Sequence, residues 1–217
     1  MKKTTVVFDL DGTLLDTLQD LANAVNYALE HQGMPKRTLE EVRQFVGNGV
    51  RLLMIRAVPD GERNPLFEET FALFKEYYGK HCNDNTKPYA GVVELIETLK
   101  EKGYAVAIVS NKIDFAVKEL NDLYFKGIVP VAIGENEGIR RKPAPDTVYE
   151  ALKELGKTKE EAVYVGDSDV DLETAKNSGM PCISVLWGFR DKEFLAEHGA
   201  ERYAKTAEDV LRFVEEM

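Results

Sequence analysis

Thr5-Val6-Val7-Phe8-Asp9-Leu10-Asp11-Gly12-Thr13 opens the chain with a short β-rich run that stops at an acidic, glycine-containing turn. Its reading decides the fold, because the next seventy residues are helical and offer this strand no neighbour. Leu18, Leu21, Ala22, Val25 and Leu29 recur at helical spacing, with Thr17 as the expected N-cap and Gly33 and Pro35 at the exit. Thr38-x-x-Glu41 predicts a capping box that opens a second helix carrying Leu39, Val42, Phe45 and Val46, which Gly47-Asn48-Gly49 breaks. Val50, Leu53, Met54 and Ala57 continue the helical pattern to Pro59. Leu66, Phe67, Phe71, Phe74 and Tyr78 stripe a longer helix. No strand is expected between Thr17 and His81.

After Pro88 the pattern changes. A helix over 92–102 ends at Gly103 and leads into the apolar run Ala105-Val106-Ala107-Ile108-Val109. Helices are then expected over 114–123, 146–155 and 170–178, alternating with strands near 128–133, 162–165 and 182–186. Such alternation predicts an α/β fold in which a parallel sheet is covered on both faces. A last helix over 206–216 is expected to cover the sheet edge. The first strand must join this later sheet, so the helical block is an insertion. Residues 1–15 and 87–217 form the expected sheet domain, and residues 16–86 a small helical bundle.

Of the chain's 217 residues, 44% are hydrophobic and 30% charged, which suits a globular protein with a substantial core. The formal net charge of -10 excludes a general nucleic-acid binder, which needs a basic footprint. It permits a small anionic substrate, because a bound cation and a local lysine reverse the sign of one cleft. Two cysteines are too few for a disulfide framework. Cys182, in an apolar run, is expected to be buried, and Cys82, in a polar stretch, exposed. The apolar run after Met1-Lys2-Lys3 stops at Asp9, and no segment reaches the roughly 18 apolar residues of a membrane span. Neither a signal peptide nor a membrane partner is expected, and the expected location is cytoplasmic. Nothing in the sequence decides between monomer and homodimer.

Four polar segments come after strand-like runs, as a site beyond the carboxyl ends of parallel strands requires. They are Asp9 to Thr13, Ser110-Asn111-Lys112, Arg141-Lys142-Pro143 and Gly166 to Asp171. If the chain stays extended to Asp11, Asp9 and Asp11 share one face. Gly12 can then bend the backbone away and expose amides to an anion. A carboxylate attacks phosphorus when Mg²⁺ screens the repulsion between anions, and carboxylate oxygens suit that hard ion. Asp167 adds charge that Asp9 alone lacks. Three carboxylates at adjacent strand ends repel unless a cation sits among them. Asp171 is open to three readings: orienting a ligand, orienting a lysine, or serving as an early-helix carboxylate. Ser110 and Asn111 are candidate donors to phosphoryl oxygens. Lys142, with Arg140 and Arg141, is a candidate counter-charge. His31, His81 and His198 lack metal-ligand spacing.

In order and residue type these segments resemble the four motifs of the haloacid dehalogenase superfamily. Asp9-x-Asp11-Gly12-Thr13 is similar to the first in its phosphatase form, Ser110 to the second, Lys142 to the third, and Asp167 with Asp171 to the fourth. The resemblance spans essentially the whole chain. It implies a Rossmann-like core with a small α-helical cap inserted after the first motif. It also implies that Asp9 forms a phosphoaspartate, while Asp11 protonates the leaving oxygen and later deprotonates water. Mg²⁺ would be bound by the carboxylates of Asp9 and Asp167 and the backbone carbonyl of Asp11, with Asp171 in or beside that shell. Ser110 and Lys142 would hold the phosphoryl oxygens. Because the family's dehalogenases lack a counterpart to Asp11, phosphoryl transfer is favoured.

Within the superfamily, Phe45 to Arg51 and Trp187-Gly188-Phe189-Arg190 resemble segments of phosphoglycolate phosphatases, with Asn48 and Arg51 as candidates to meet a substrate carboxylate. The expected partner is a small phosphorylated metabolite. Inorganic pyrophosphatases of the same type share much of this pattern, and a β-phosphoglucomutase-like phosphotransferase is a further alternative. Phosphonoacetaldehyde hydrolases expect a Schiff-base lysine near the first motif, and no lysine occurs between Leu14 and Leu29. A non-catalytic interaction module would have lost Asp9, Asp11 or Lys142, and all three are present.

Overall fold

Thr5-Val6-Val7-Phe8 is buried along its whole length, because it forms a central strand of a parallel sheet. The computed structural model describes residues 2–217. In chain order its strands are β1 (Thr5–Phe8), β2 (Leu15–Asp16), β3 (Lys87–Pro88), β4 (Ala105–Ile113), β5 (Val131–Glu135), β6 (Ala162–Gly166), β7 (Cys182–Val185) and β8 (Tyr203–Ala204). The six-stranded sheet has the order β5-β4-β1-β6-β7-β8, with every pairing parallel. Thr5 to Phe8 pair with Ala105 to Ile108 on one side and Ala162 to Val165 on the other.

Alternation along these strands loads both faces. Val6, Phe8, Ile108 and Val165 point to one, which is covered by α5 (Val92–Glu101), α6 (Asp114–Tyr124) and α10 (Ala207–Glu215). Val7, Ala107, Val109 and Tyr164 point to the other, covered by α7 (Asp146–Glu154) and α8 (Asp169–Ser178). Burial of each large apolar side chain contributes about 1.5–3 kcal/mol. The α/β expectation therefore holds, with a Rossmann-like parallel core.

The chain separates into two units, one of residues up to Leu15 with Pro88–Met217 and one of Asp16–Lys87. The second unit is helical: α1 (Leu18–His31), α2 (Leu39–Phe45), α3 (Val50–Ala57) and α4 (Phe67–His81). Its core joins Val25 and Leu29 to Leu53, Met54 and the α4 aromatics, where Phe74 and Tyr78 stack at 5.4 Å between centroids. The Thr38–Glu41 capping box is formed. Buried Asp20 accepts hydrogen bonds from the backbone amides of Asn85 and Thr86, the Asn85 amide side chain and the Thr86 hydroxyl, all within 3.0 Å. The segment after α4 is thereby tied to α1. Among the described residues no helix is long and apolar enough to cross a membrane.

Several local expectations are corrected. Thr17 occupies the N-cap position of α1, but its hydroxyl is buried without a partner; Asp16 accepts from the Leu18 amide instead. The strand after Gly103 runs past Val109 to Ile113, with an irregular register between those residues. The next strand begins at Val131, because the amides of Ile128 and Val129 turn back to Phe125 and Pro130 has no N–H. Helix α10 lies on a sheet face, where Val210 and Val214 find apolar partners, and β8 forms the edge instead. Neither β8 nor the short helix α9 (Lys192–Glu197) is expected from the sequence. Cys82 is buried in the helical core at the end of α4, while Cys182 is half-buried and its thiol is pushed up by burial.

Candidate active site

The carboxyl ends of three adjacent strands, β4, β1 and β6, carry the acidic and hydroxyl groups of the site. Asp9 directly succeeds β1 and stays registered to β6 through its amide, which donates to the Val165 carbonyl at 2.9 Å. Asp167 directly succeeds β6, and Ser110 lies within β4. Lys142 comes from the segment before α7. Its return to the site is fixed by Asn111, whose side-chain amide donates to the Lys142 carbonyl at 2.9 Å. The Asn111 Oδ1 is buried without a partner.

Lys142 Nζ donates to Asp9 Oδ1 at 2.6 Å, Asp171 Oδ1 at 2.8 Å and the Tyr164 hydroxyl at 3.1 Å. All four residues are buried. Burial disfavours the ammonium, but Asp171 and then Asp9 outweigh it, so Lys142 titrates well above its usual range. Asp9 is held well above the ordinary carboxylate range by burial first and by the charge of Asp171 next. Burial, with Asp171 again second, pushes Asp167 up to about 7. Burial also raises the Tyr164 phenol.

Carboxylate oxygens of Asp9, Asp167 and Asp171 lie within 4.8 Å of one another. Three buried acids against one ammonium leave excess negative charge, which hard oxygen donors commonly spend on a divalent cation. The donor set therefore fits such an ion. Asp171 is the most committed of the three. Its Oδ1 accepts from Lys142 and Tyr164, and its Oδ2 accepts from the amides of Asp167 and Ser168 and from the Ser168 hydroxyl at 2.6 Å. It orients a lysine and caps α8 through the Ser168–Asp171 box. Asp9 Oδ2, by contrast, has no hydrogen-bond donor among the described residues.

Asp167 is fixed by close backbone. Its Oδ2 accepts from the Phe189 amide at 2.7 Å, and its Oδ1 from the Thr13 hydroxyl at 3.3 Å. A Cβ on Gly12 would sit 2.5 Å from Asp167 Oδ2, and one on Gly188 would sit 2.3 Å from Asp167 Cβ. Gly12 also has φ +88°, a conformation glycine adopts without strain. Its own amide donates to the Leu15 carbonyl at 2.9 Å.

Asp11 belongs to a second group. Its Oδ2 accepts from Ser110 Oγ at 3.3 Å and its Oδ1 from Lys112 Nζ at 3.0 Å. The sequence gives no role to Lys112, Tyr164, Thr13 or Phe189. Lys112 carries a signal: two residues after Ser110 on one strand, it shares that residue's face.

Asn48 and Arg51 lie in the helical unit. Asn48 has φ 61°, and Arg51 donates to Glu62 at 3.0 Å and Glu68 at 2.6 Å while its guanidinium lies over the Phe67 ring.

The family model for haloacid dehalogenase-like hydrolases matches residues 6–185. A phosphoglycolate phosphatase of Aquifex aeolicus is 35% identical over 185 residues, covering 85% of each chain. Phosphoglycolate phosphatase 1 of Pseudomonas aeruginosa is 35% identical over 216 residues, covering 95% of this chain and 78% of its own. A crystal structure from Lactobacillus delbrueckii subsp. bulgaricus, provisionally named a phosphoglycolate phosphatase, superposes with a TM-score of 0.96 at 38% identity over the full length of both. Buried acids at the ends of β1 and β6 and in the first turn of α8, two of them on one lysine, in a fold shared with these proteins, make this chain an enzyme that belongs to the haloacid dehalogenase-like hydrolases, as a phosphatase.

Proposed function

We propose that the chain hydrolyses a small phosphomonoester, phosphoglycolate or a similarly small anion, through a phosphoaspartate on Asp9. The observation that carries this reading is the division of labour between two aspartates. Asp9 presents Oδ2 without a hydrogen-bond donor while Oδ1 rests on Lys142, and Asp11 is held by a separate pair of residues.

In the first step Asp9 Oδ2 bonds to phosphorus, the ester P–O bond breaks, and the leaving oxygen takes a proton from Asp11. In the second step a water oxygen bonds to phosphorus while Asp11 accepts its proton. The bond to Asp9 breaks, which returns the carboxylate and releases phosphate. Lys142 offsets charge on Asp9 and on the phosphoryl oxygens, held in place by Asp171. Ser110 would share the phosphoryl oxygens, with Asn111 as the tie to the Lys142 loop. Mg²⁺ held by the carboxylates of Asp9 and Asp167 and the backbone carbonyl of Asp11, with Asp171 beside it, would screen the approach of two anions.

We assign substrate selection to the helical unit, Asp16–Lys87, acting as the cap. Asn48 and Arg51 are its candidates for the substrate carboxylate, and Arg51 would exchange part of its pairing with Glu62 and Glu68 for that contact.

The substrate assignment is tested by comparing kcat/KM for phosphoglycolate, pyrophosphate, sugar phosphates and nucleotides with Mg²⁺ present. A preference for phosphoglycolate of about tenfold or more is expected, the discrimination a few polar contacts supply. Faster turnover of pyrophosphate sinks the substrate assignment. Sugar-phosphate interconversion without phosphate release sinks the hydrolase reading.

Cation binding has its own readout. Asp167 keeps a proton in the folded state up to about pH 7 that an unfolded chain releases in the ordinary carboxylate range. Its contribution therefore lowers the stability of the metal-free protein as pH rises through that window. Mg²⁺ at about 100 times its Kd is expected to raise Tm by roughly 5–10 °C, more at pH 8 than at pH 5. Asp167→Asn should remove that increment. An unchanged increment in the variant would place the ion elsewhere.

A further inference from the structure

The proposed reaction gives no task to Lys112, yet its side chain is 3% exposed at the end of β4. Burying an ammonium is far more costly than burying an alkyl chain of similar volume, so a lysine here needs a partner of its own. Asp11 is such a partner. Lys112 Nζ meets Asp11 Oδ1 at 3.0 Å, while Ser110 Oγ meets Oδ2 at 3.3 Å. The Lys112 backbone amide in turn donates to Ser110 Oγ at 3.1 Å. Alternate residues of one strand thus grip both oxygens of one carboxylate. The two buried lysines also serve different acids: Lys142 serves Asp9 and Asp171, and Lys112 serves Asp11.

Asp11 lies just past the end of β1, where the chain bends at Gly12, and its own side chain is 18% exposed. Left to itself a carboxylate there would sample several rotamers, whereas proton transfer needs it within hydrogen-bond reach of the leaving oxygen and later of water. We propose that Lys112 is a positioning residue, whose hydrogen bond to Asp11 Oδ1 holds that carboxyl, neutral or ionised, in the orientation required for both proton transfers. The proposal rests on the reading of Asp11 as the proton-transfer group.

Lys112→Met is expected to lower kcat about 10–100-fold with KM changed less than about threefold, because orientation and not binding is lost. Since Lys112 acts through Asp11, the double variant Asp11→Asn/Lys112→Met should be no slower than Asp11→Asn. An aryl phosphate with an acidic leaving group needs no proton donor in the first step. On that substrate Lys112→Met should release about one equivalent of aryl alcohol per site in a fast burst, then turn over slowly. Losses that multiply in the double variant, a raised KM with kcat intact, or slow formation without a burst would each overturn the proposal. The last two would make Lys112 a direct contact to the phosphoryl group. If Asp11→Asn is slow while Lys112→Met matches wild type, the Lys112 proposal alone falls. A wild-type rate for Asp11→Asn overturns both. Circular dichroism and Tm report folding, and if the Met variant does not fold, Lys112→Gln is read by the same criteria.

Discussion

Asp9→Asn is expected to abolish phosphate release, lowering kcat by at least about 10⁴-fold, in a protein that melts no lower than wild type without metal. The amide is nearly isosteric but is a far weaker nucleophile, and no neighbouring carboxylate can take over. Asp171 is saturated by five hydrogen bonds, and Asp167 is held by Phe189 and Thr13. The stability expectation comes from the same geometry. Burial and the nearby Asp171 hold Asp9 well above the ordinary carboxylate range, so its charge is a cost to the folded state that a neutral amide does not carry. Lys142 keeps Asp171 as a partner. Acid-quenched wild-type enzyme should retain phosphate on the protein, and the variant should retain none. Full activity in Asp9→Asn would remove the nucleophile assignment.

Lys142→Met is expected to fail in both respects. Loss of the ammonium leaves Asp9 and Asp171 buried against each other without a counter-charge, a change that typically costs about 3–5 kcal/mol. In a chain of this size that corresponds to a fall in Tm of roughly 10 °C. Activity should fall about 10³-fold, because the one ammonium that offsets the charge gathered on the phosphoryl oxygens is lost. The stability loss should shrink in acid, since Asp9, already displaced upward by burial, takes up a proton there and no longer needs the lysine. Lys142→Arg is not a conservative test, because a planar guanidinium cannot direct donors to Asp9, Asp171 and Tyr164 from one point. The checking measurements are thermal melts at pH 5 and pH 8 beside steady-state rates. A variant melting like wild type would mean that Asp9 and Asp171 do not depend on this lysine.

Different parts of the fold are legible for different reasons. β1 matches its expected limits because four consecutive apolar or β-branched residues run into Asp9, and a strand buried on both faces cannot continue into a charged turn. The cap helices are readable because their apolar stripes and the Thr38–Glu41 box are local patterns. β8 escapes because two residues carry no periodicity; Tyr203 and Ala204 become a strand only by pairing with Ser184 and Val185. Thr17 takes the N-cap position of α1 as its residue type suggests, but its hydroxyl makes no capping hydrogen bond. Cys82 reads as exposed because its sequence neighbours are polar, yet it is buried in the apolar cluster that the four cap helices build.

Within the site, the residue types and their order along the chain propose Asp9, Asp11, Ser110, Lys142, Asp167 and Asp171, and Asp9, Ser110 and Asp167 each lie at or directly after a strand. Chemistry of that kind is local. What only the tertiary structure decided is how charge is shared among them. It gave Lys142 to Asp9 and Asp171, spent both oxygens of Asp171 on hydrogen bonds, and placed Lys112 on Asp11. The lysine pairings join residues 29 to 133 positions apart, and burial magnifies each of them. A sequence carries the charges, but the distances and the dielectric that set their interaction exist only once the strands are side by side.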